Sequence, residues 1–444
     1  MLEIYAVGGY NEIGKNMTAI KVDDEMIVLD MGLFLDAYIK YTEGDDLVDV
    51  SPKALRAVGA VPDDSLIKPY RSIVKAIIPT HAHLDHCGAI PFMAKGYEDA
   101  EIICTPYTAE IIKAITKDEN IKMKNKIKVL HSNSHLKISD NISIEFINVT
   151  HSTPQTVMVA VHTKYGVVLY ANDFKFDNSP VLGKKPNYER LEEIGKKGLL
   201  ALIVDSTRAG KEGKTSSESV AKEMLRDVML GTNSKGRAVL VTTFSSHLAR
   251  LKSIVEFGRE MNRKILFLGR SLSKYTRAGE NIGLIRFSNE IELAGFKKKI
   301  KKRLAEVEKA GRDKYLLVVT GHQGEPKSTL SRIANNEFPF RLHSEDHVIF
   351  SCAVIPSEVN INNRKKIEEK LKAKGARIFK DIHASGHASR EDLIDLIDLV
   401  NPDHIIPAHC ERHMADSMAE IALEKGYKKG QTLHLIRNGN KLVL

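Results

Sequence analysis

His81-Ala82-His83-Leu84-Asp85-His86 packs three imidazoles and a carboxylate into six residues. The apolar run before it, Ile73-Val74-Lys75-Ala76-Ile77-Ile78, reads as a buried strand ending at Pro79, and Gly88 to Lys95 after it has helical character. A strand-to-helix turn lets these four side chains converge on one point. Neutral imidazole and carboxylate are the ligands that hold zinc where one position stays open for water. A surface loop that happens to be rich in histidine has no need of this order directly after a strand, so the stretch is read as a metal site.

Working outward, Leu2 to Val7, Met17 to Val22 and Met26 to Asp30 read as strands, the first followed by the glycine-rich turn Gly8 to Gly14. That turn lacks the GxGxxG spacing and leads into strands, which excludes a nucleotide loop. Residues 36–72 read as a polar, irregular surface excursion. Further strands fall at 101–104, near 127–130, at 142–149 and over 156–171, the last broken at Lys164-Tyr165-Gly166; a helix spans 107–116. His151 and Asp173 each lie just past a strand end, as a site on a sheet rim requires.

From Leu199 to Ile382 strands alternate with helices, the pattern of a parallel sheet with covering helices and hence of a second domain. Its densest basic run, Lys297-Lys298-Lys299-Ile300-Lys301-Lys302-Arg303, reads equally as a solvated helix face or as a phosphate-contacting patch. Site-like residues return at His383-Ala384-Ser385-Gly386-His387 and at the strand ending in His409. Gln431 to Leu444, with the turn Asn438-Gly439-Asn440, reads as a closing hairpin.

With 444 residues, 43% hydrophobic and 28% charged, the chain has material for two or three ordinary globular domains. A net charge of +9 leans toward a polyanionic partner. No run approaches membrane-spanning length and Met1 to Tyr5 lacks a signal-peptide layout, so no membrane is expected and the location expected is cytoplasmic. The four cysteines, Cys87, Cys104, Cys352 and Cys410, form no CxxC pair, which excludes a sulfur-based zinc site of that kind.

The candidate ligands at strand ends are His81, His83, Asp85, His86, His151, Asp173 and His409, enough for two metals. Asp173 is the natural bridge, since its two oxygens can serve both ions. Two zincs at roughly 3.5–4 Å can hold a hydroxide and withdraw charge from a phosphoryl oxygen.

In order and context, Asp30, the 81–86 turn, His151 and Asp173 resemble the metallo-β-lactamase superfamily. Asp205 in Asp205-Ser206-Thr207, His387 in Ser385-Gly386-His387-Ala388 and His409 in Pro407-Ala408-His409 resemble the three added motifs of its β-CASP branch, with a histidine at the third position as in RNA-cutting members. Gly8 to Asn16 and Thr320-Gly321-His322-Gln323-Gly324-Glu325-Pro326 resemble the ribonuclease J family. His322 departs from the serine usual in its bacterial members, and the chain, ending at Leu444, looks like the shorter archaeal type.

The resemblance implies an α/β protein: an αββα metallo-β-lactamase sandwich, 1–206 and 383–444, with an inserted β-CASP α/β domain, 207–382, built on a parallel sheet. It implies two zinc ions per chain, one held by His81, His83 and His151, the other by Asp85, His86 and His409, with Asp173 bridging. Asp30 would orient the histidine turn, and His387 would protonate the leaving 3′ oxygen with Asp205 holding its imidazole. The implied activity is 5′-to-3′ degradation of single-stranded RNA from a 5′-monophosphate. Ser245, Ser246, Ser385, Gly386 and His387 are the candidate phosphate pocket, although Ser245 and Ser246 read equally as caps of the helix starting near Leu248. A homodimer is expected by family analogy. The alternatives are an endoribonuclease, a small-molecule hydrolase and a non-catalytic RNA-binding subunit of a processing complex; the inserted domain and the full set of seven ligands argue against the last two.

Overall fold

The computed structural model describes residues 1–42 and 50–444. They form two compact units. The first comprises Met1–Asn178, Gly183–Thr215 and Gly386–Leu444, and the second comprises Ser179–Leu182 and Ser216–Ser385.

The first unit is a sandwich of two mixed sheets. Along Leu2–Gly8 the side chains of Leu2, Ile4 and Ala6 alternate with Glu3 and Tyr5, and only the first set enters the core between the sheets. One sheet runs from Lys441–Val443 at one edge through Leu2–Gly8, Met17–Val22, Glu25–Leu29, Val74–Ile78 and Glu101–Cys104 to Ile127–Val129. The other runs from Pro402–Ala408 through Leu199–Asp205, Gly166–Ala171, Val157–Thr163 and Ile142–Asn148 to Ser134–Lys137. Ile4, Ile20 and Ile27 from the first sheet meet Phe146, Val159 and Ile203 from the second in one core. The helices Tyr188–Lys197, Arg390–Val400 and Arg412–Glu424 cover the outer face of the second sheet through Leu191, Leu396 and Met418. The helices Ile90–Met93 and Pro106–Asp118 bury Phe92, Ile111 and Ile112 beside the first sheet. This is the αββα metallo-β-lactamase sandwich.

The second unit is a six-stranded, wholly parallel sheet in the order Ile291–Ala294, Lys264–Leu268, Tyr315–Val319, Val239–Thr242, His347–Phe350, Arg377–Phe379. Its strands are near-continuous runs of Val, Ile, Leu and Phe, because both faces are covered. It is the β-CASP domain of the fold class. Helix Leu248–Glu260 carries a fully buried cation, Arg250, whose guanidinium donates to both oxygens of Glu218 (2.6 and 2.9 Å), to the carbonyls of Ser351 and Ile382 and to Ser351 Oγ.

Two expectations need correction. Residues 36–72 are largely helical: Leu35–Thr42, Pro52–Ala57 and a 3₁₀ stretch Asp64–Ile73, with Ser51 and Asp63 capping the latter two and Leu55 and Ile67 buried. Sparse apolar residues hid those elements, and the part 43–49 of that expectation lies outside the described residues. Nor does 431–444 close on itself as a hairpin. Lys441–Val443 pairs with Leu2–Gly8, while buried Leu433 bridges to Ile405, because two open sheet edges offer more burial than a two-stranded ribbon. Helices Arg270–Asn281 and Arg412–Glu424 and the strand Ile291–Ala294 have no counterpart in the reading from sequence. No helix among the described residues is long and apolar enough to cross a membrane.

Candidate metal centre

Three strands end at one rim of the first unit, and each hands the chain to a candidate site residue in a left-handed backbone conformation: Asp30 (φ 59°) after Glu25–Leu29, Asp173 (φ 56°) after Gly166–Ala171 and His409 (φ 50°) after Pro402–Ala408. Such conformations cost non-glycine residues of order 1–3 kcal/mol each and cluster where function holds them. The histidine turn is clamped to the same rim by backbone bonds. Met31 N–H donates to the His86 carbonyl (2.7 Å), Leu33 N–H to Leu84 (2.8 Å) and Asn16 N–H to Asp85 (3.0 Å). Gly32 makes the approach possible, since a Cβ there would lie 1.7 Å from the Asp85 carbonyl oxygen.

The seven candidate ligands come together as two sets sharing Asp173: His81, His83, His151 and Asp173, and Asp85, His86, Asp173 and His409, with the ligand atoms of each set within 4.8 Å of one another. Asp173 divides its oxygens between them. Oδ2 lies 3.6 Å from His81 Nε2 and 3.4 Å from His151 Nε2; Oδ1 lies 3.2 Å from His86 Nε2 and 3.6 Å from His409 Nε2. Ligand atoms held about 2.0–2.2 Å from one zinc at tetrahedral angles lie roughly 3.3–3.6 Å apart, so the spacing fits a cation between them. His81 Nε2 and Asp173 Oδ1 are buried with no hydrogen-bond partner, a cost that a bound cation removes. The donor set therefore fits two divalent metals.

Neighbouring acceptors fix which nitrogen each ring presents. His86 Nδ1 donates to Asp30 Oδ2 (2.7 Å), His409 Nδ1 to Asn16 Oδ1 (2.8 Å) and His151 Nδ1 to the Gly386 carbonyl (2.7 Å), which turns Nε2 of each toward Asp173; His86 Nε2 also lies 3.1 Å from Asn16 Nδ2. His83 turns Nδ1 toward His151 Nε2 at 3.0 Å, two lone pairs that a cation would separate. Asp30 is itself held by Thr80 N–H (2.7 Å), Thr80 Oγ1 (3.0 Å) and Tyr170 OH (3.0 Å), while His81 Nδ1 lies 3.0 Å from Thr80 Oγ1. Asp30 thus links the His86 ring to Thr80 and Tyr170. Asn16 and Thr80 were not assigned a role from sequence; a polar residue inside a glycine-rich turn or directly before the histidine turn was the available signal.

Burial, joined by the neighbouring imidazoles, drives His81 and His151 well below the ordinary histidine range and His83 to about 4, so these rings are held in the neutral form that can ligate a metal. His86 goes the other way: burial works against its charge, but Asp173, Asp30 and Asp85 together hold it well above that range. Asp173, despite its burial, is held ionised by His86 and His409. The carboxylates that favour a proton on His86 would equally favour a metal cation in its place.

A third group joins this one. His387 Nδ1 lies 2.7 Å from Asp205 Oδ2, and His387, Asp205 and Asp173 present ligand-type atoms within 4.8 Å of one another. Asp205 Oδ1 accepts from Thr207 N–H (2.8 Å) and from the Thr207 hydroxyl, whose oxygen also lies 3.0 Å from the His409 carbonyl. The parallel register Asp205 to Ala408 is what puts this dyad beside His409. Burial would lower the His387 pKa, but Asp205 and Asp173 raise it to about 9.

The candidate phosphate residues are less tightly defined. Ser245 and Ser246 lie on the turn after Val239–Thr242 in the second unit and are largely buried. Ser245 Oγ pairs with Ser271 Oγ at 2.9 Å, and the helix after them starts from His247 with no side-chain cap bond, so neither serine serves as the cap weighed for it. Ser385 ends the second unit. Gly386 gives its carbonyl to His151, and a Cβ there would meet that ring at 2.7 Å. The four cysteines are free and buried.

Comparison with known proteins assigns three segments. Residues 47–211 match a beta-lactamase superfamily domain, 235–369 the beta-CASP domain of ribonuclease J, and 375–431 a Zn-dependent metallo-hydrolase RNA specificity domain. Along 442 residues the chain is 41% identical to Ribonuclease J of Methanocaldococcus jannaschii, covering 99% of this chain and 98% of that one. It is 43% identical over 441 residues to Ribonuclease J of Pyrococcus abyssi, 99% and 96% covered, and 29% identical over 442 residues to Ribonuclease J 2 of Staphylococcus aureus, 99% and 74% covered. A solved structure of a protein of unknown function from Enterococcus faecalis shares the fold throughout, with TM-score 0.66, 17% identity and 100% of both chains covered.

Proposed function

The chain belongs to the ribonuclease J family, and from that premise we propose that it is a zinc-dependent 5′-to-3′ exoribonuclease acting on single-stranded RNA with a 5′-monophosphate. Family membership makes it a metal-dependent hydrolase of RNA. The finer reading adds zinc, two ions per chain, the direction of degradation, a cytoplasmic location and a homodimeric state. The observation that carries it is the division of Asp173, one oxygen facing His81 and His151 and the other His86 and His409.

His81, His83 and His151 would hold one ion, Asp85, His86 and His409 the other, and Asp173 both. Bound there, the ions would supply Lewis acidity toward a phosphoryl oxygen and bring a water's deprotonation near neutral pH. The chain's own contribution is protonic and positional. Asp30, Asn16 and the Gly386 carbonyl hold the ring protons of His86, His409 and His151 on Nδ1, which keeps those three rings from turning away. His387, anchored through Nδ1 to Asp205, keeps a proton for the leaving 3′ oxygen, and the raised pKa keeps that proton in place at neutral pH. In the second unit the hydroxyls of Ser245, Ser246 and Ser385, and in the first the amides of Gly386 and His387, are groups of the kind that suit a terminal phosphate.

The test compares RNAs bearing 5′-monophosphate, 5′-triphosphate or 5′-hydroxyl, each labelled at either end. Mononucleotides released from the 5′ end, fastest from the monophosphate, are expected. Internal fragments alone would make the chain an endonuclease, and RNA bound but uncut by metal-loaded protein would make it a binding subunit.

A further inference from the structure

Helix Lys297–Ala310 buries Ile300, Leu304 and Val307 on one face and exposes Lys297, Lys298, Lys299, Lys301 and Lys302. None of these five lysines has an ion pair or hydrogen bond at its ammonium group among the described residues, whereas the next residue, Arg303, pairs with Glu292 and Glu306. The arrangement is unfavourable in the protein alone. Three cations sit in the first turn with no acidic residue, against the helix dipole, and Lys297–Lys301 and Lys298–Lys302 are like-charged pairs one turn apart. Directly before them stands Phe296, whose 69% exposure is the greatest of any large apolar side chain among the described residues. The exposed Arg270 guanidinium lies 5.8 Å from its ring centroid.

The patch has a place in the fold. Strands Lys264–Leu268 and Ile291–Ala294 run parallel, and the helices that follow them, Arg270–Asn281 and Lys297–Ala310, start side by side. A Cβ on Gly295 would lie 3.1 Å from Ser273 Oγ and 3.7 Å from Arg270 Cα. Ser271, on the first of those helices, pairs with Ser245 after Val239–Thr242. All of this belongs to the carboxyl rim of one parallel sheet, where open α/β sheets take their ligands.

We propose that Phe296, Arg270 and the lysines 297–302 form an outlying binding surface for single-stranded RNA, the ring stacking a base and the ammonium groups contacting phosphates. It rests on the reading of the chain as a ribonuclease. Stacking platforms set in basic tracks bind single strands whatever their sequence. A membrane suits the patch less, because the apolar face of the helix is spent on the protein core and one aromatic ring is left to insert.

The experiment measures dissociation constants of the metal-loaded protein for uncleavable phosphorothioate RNAs of roughly 5 and roughly 30 nucleotides across a salt series. Wild type should show the steeper salt dependence with the longer RNA. A variant with Lys297→Gln, Lys298→Gln, Lys301→Gln and Lys302→Gln should lose about 0.7 of log–log slope per phosphate contact on that RNA. Phe296→Ala should weaken it about tenfold with the slope kept. The lysine variant should melt at the same or a higher temperature, since it sheds unfavourable charge. Long-RNA binding equal to wild type, a lower melting temperature, or a loss confined to binding of phosphatidylserine vesicles would overturn the surface. Wild type that binds neither RNA would overturn the ribonuclease reading with it.

Discussion

His387 Nδ1 stands 2.7 Å from Asp205 Oδ2, at a point where His387, Asp205 and Asp173 converge. On the proposed function the dyad is a proton donor distinct from the candidate metal ligands, and mutation can pull the two roles apart. His387→Ala should leave bound metal near normal while lowering turnover on the order of 10²–10⁴-fold. Metal analysis beside single-turnover cleavage checks this, and a variant cleaving at the parent rate would remove His387 from the mechanism.

The same pair sets a pH dependence. Burial lowers the His387 pKa, Asp205 and Asp173 outweigh it, and the value reaches about 9. A general acid works only while protonated, so the rate should hold through neutral pH and fall as pH rises toward about 9, somewhat earlier where bound cations offset Asp173. Asp205→Asn removes the larger supporting charge and should move this alkaline limb to lower pH. A rate profile of the two proteins decides it; coincident limbs would assign the limb to another group.

Asp173→Asn should empty both metal positions, because each oxygen faces a different imidazole pair, whereas Asp85→Ala should deplete mainly the one shared with His86 and His409. Elemental analysis after dialysis gives the ratio of metal to protein. An Asp173→Asn protein that kept two ions would end the bridging role. Gly32→Ala should resemble Asp85→Ala in metal content, by displacing the Asp85 carbonyl with a Cβ 1.7 Å away, and is expected to weaken metal binding about 10–100-fold.

What sequence could disclose here follows from range. His81, His83, Asp85 and His86 are legible together because one turn holds them, and the strand before them is a plain apolar run. Asp173 and His409 are legible as histidine or carboxylate at strand ends, and resemblance supplied their pairing. Asn16 was not, since its service to His409 spans 393 positions and exists only once the Leu2–Gly8 and Pro402–Ala408 regions share a rim. Thr80, 50 positions from Asp30, was hidden for the same reason, and the Gly386 carbonyl because a backbone oxygen has no letter in the sequence. The parallel sheet of the second unit was evident from alternating strands and helices, yet its edge strand Ile291–Ala294 is too short and too mixed in polarity to stand out. The supposed C-terminal hairpin failed because a turn signal states where the chain bends and not which edge it then joins.

Arg250 and Glu218 make the second unit sensitive to acid and to single substitution. Burial would raise the Glu218 pKa, but His247 and Arg250 hold it well below the ordinary carboxylate range. A carboxylate depressed in the folded state contributes stability that is present above its unfolded pKa and is lost as pH falls through the folded value. Stability should therefore decline progressively below about pH 4.5. Glu218→Gln leaves the fully buried guanidinium uncompensated and should cost about 3–5 kcal/mol, while a double replacement by apolar residues of similar volume should recover much of that. Urea titration at pH 7 and pH 4 measures both. If Glu218→Gln lowered stability equally at the two pH values, the acid sensitivity would belong to other carboxylates; if it cost nothing at pH 7, the pair would contribute no net stability.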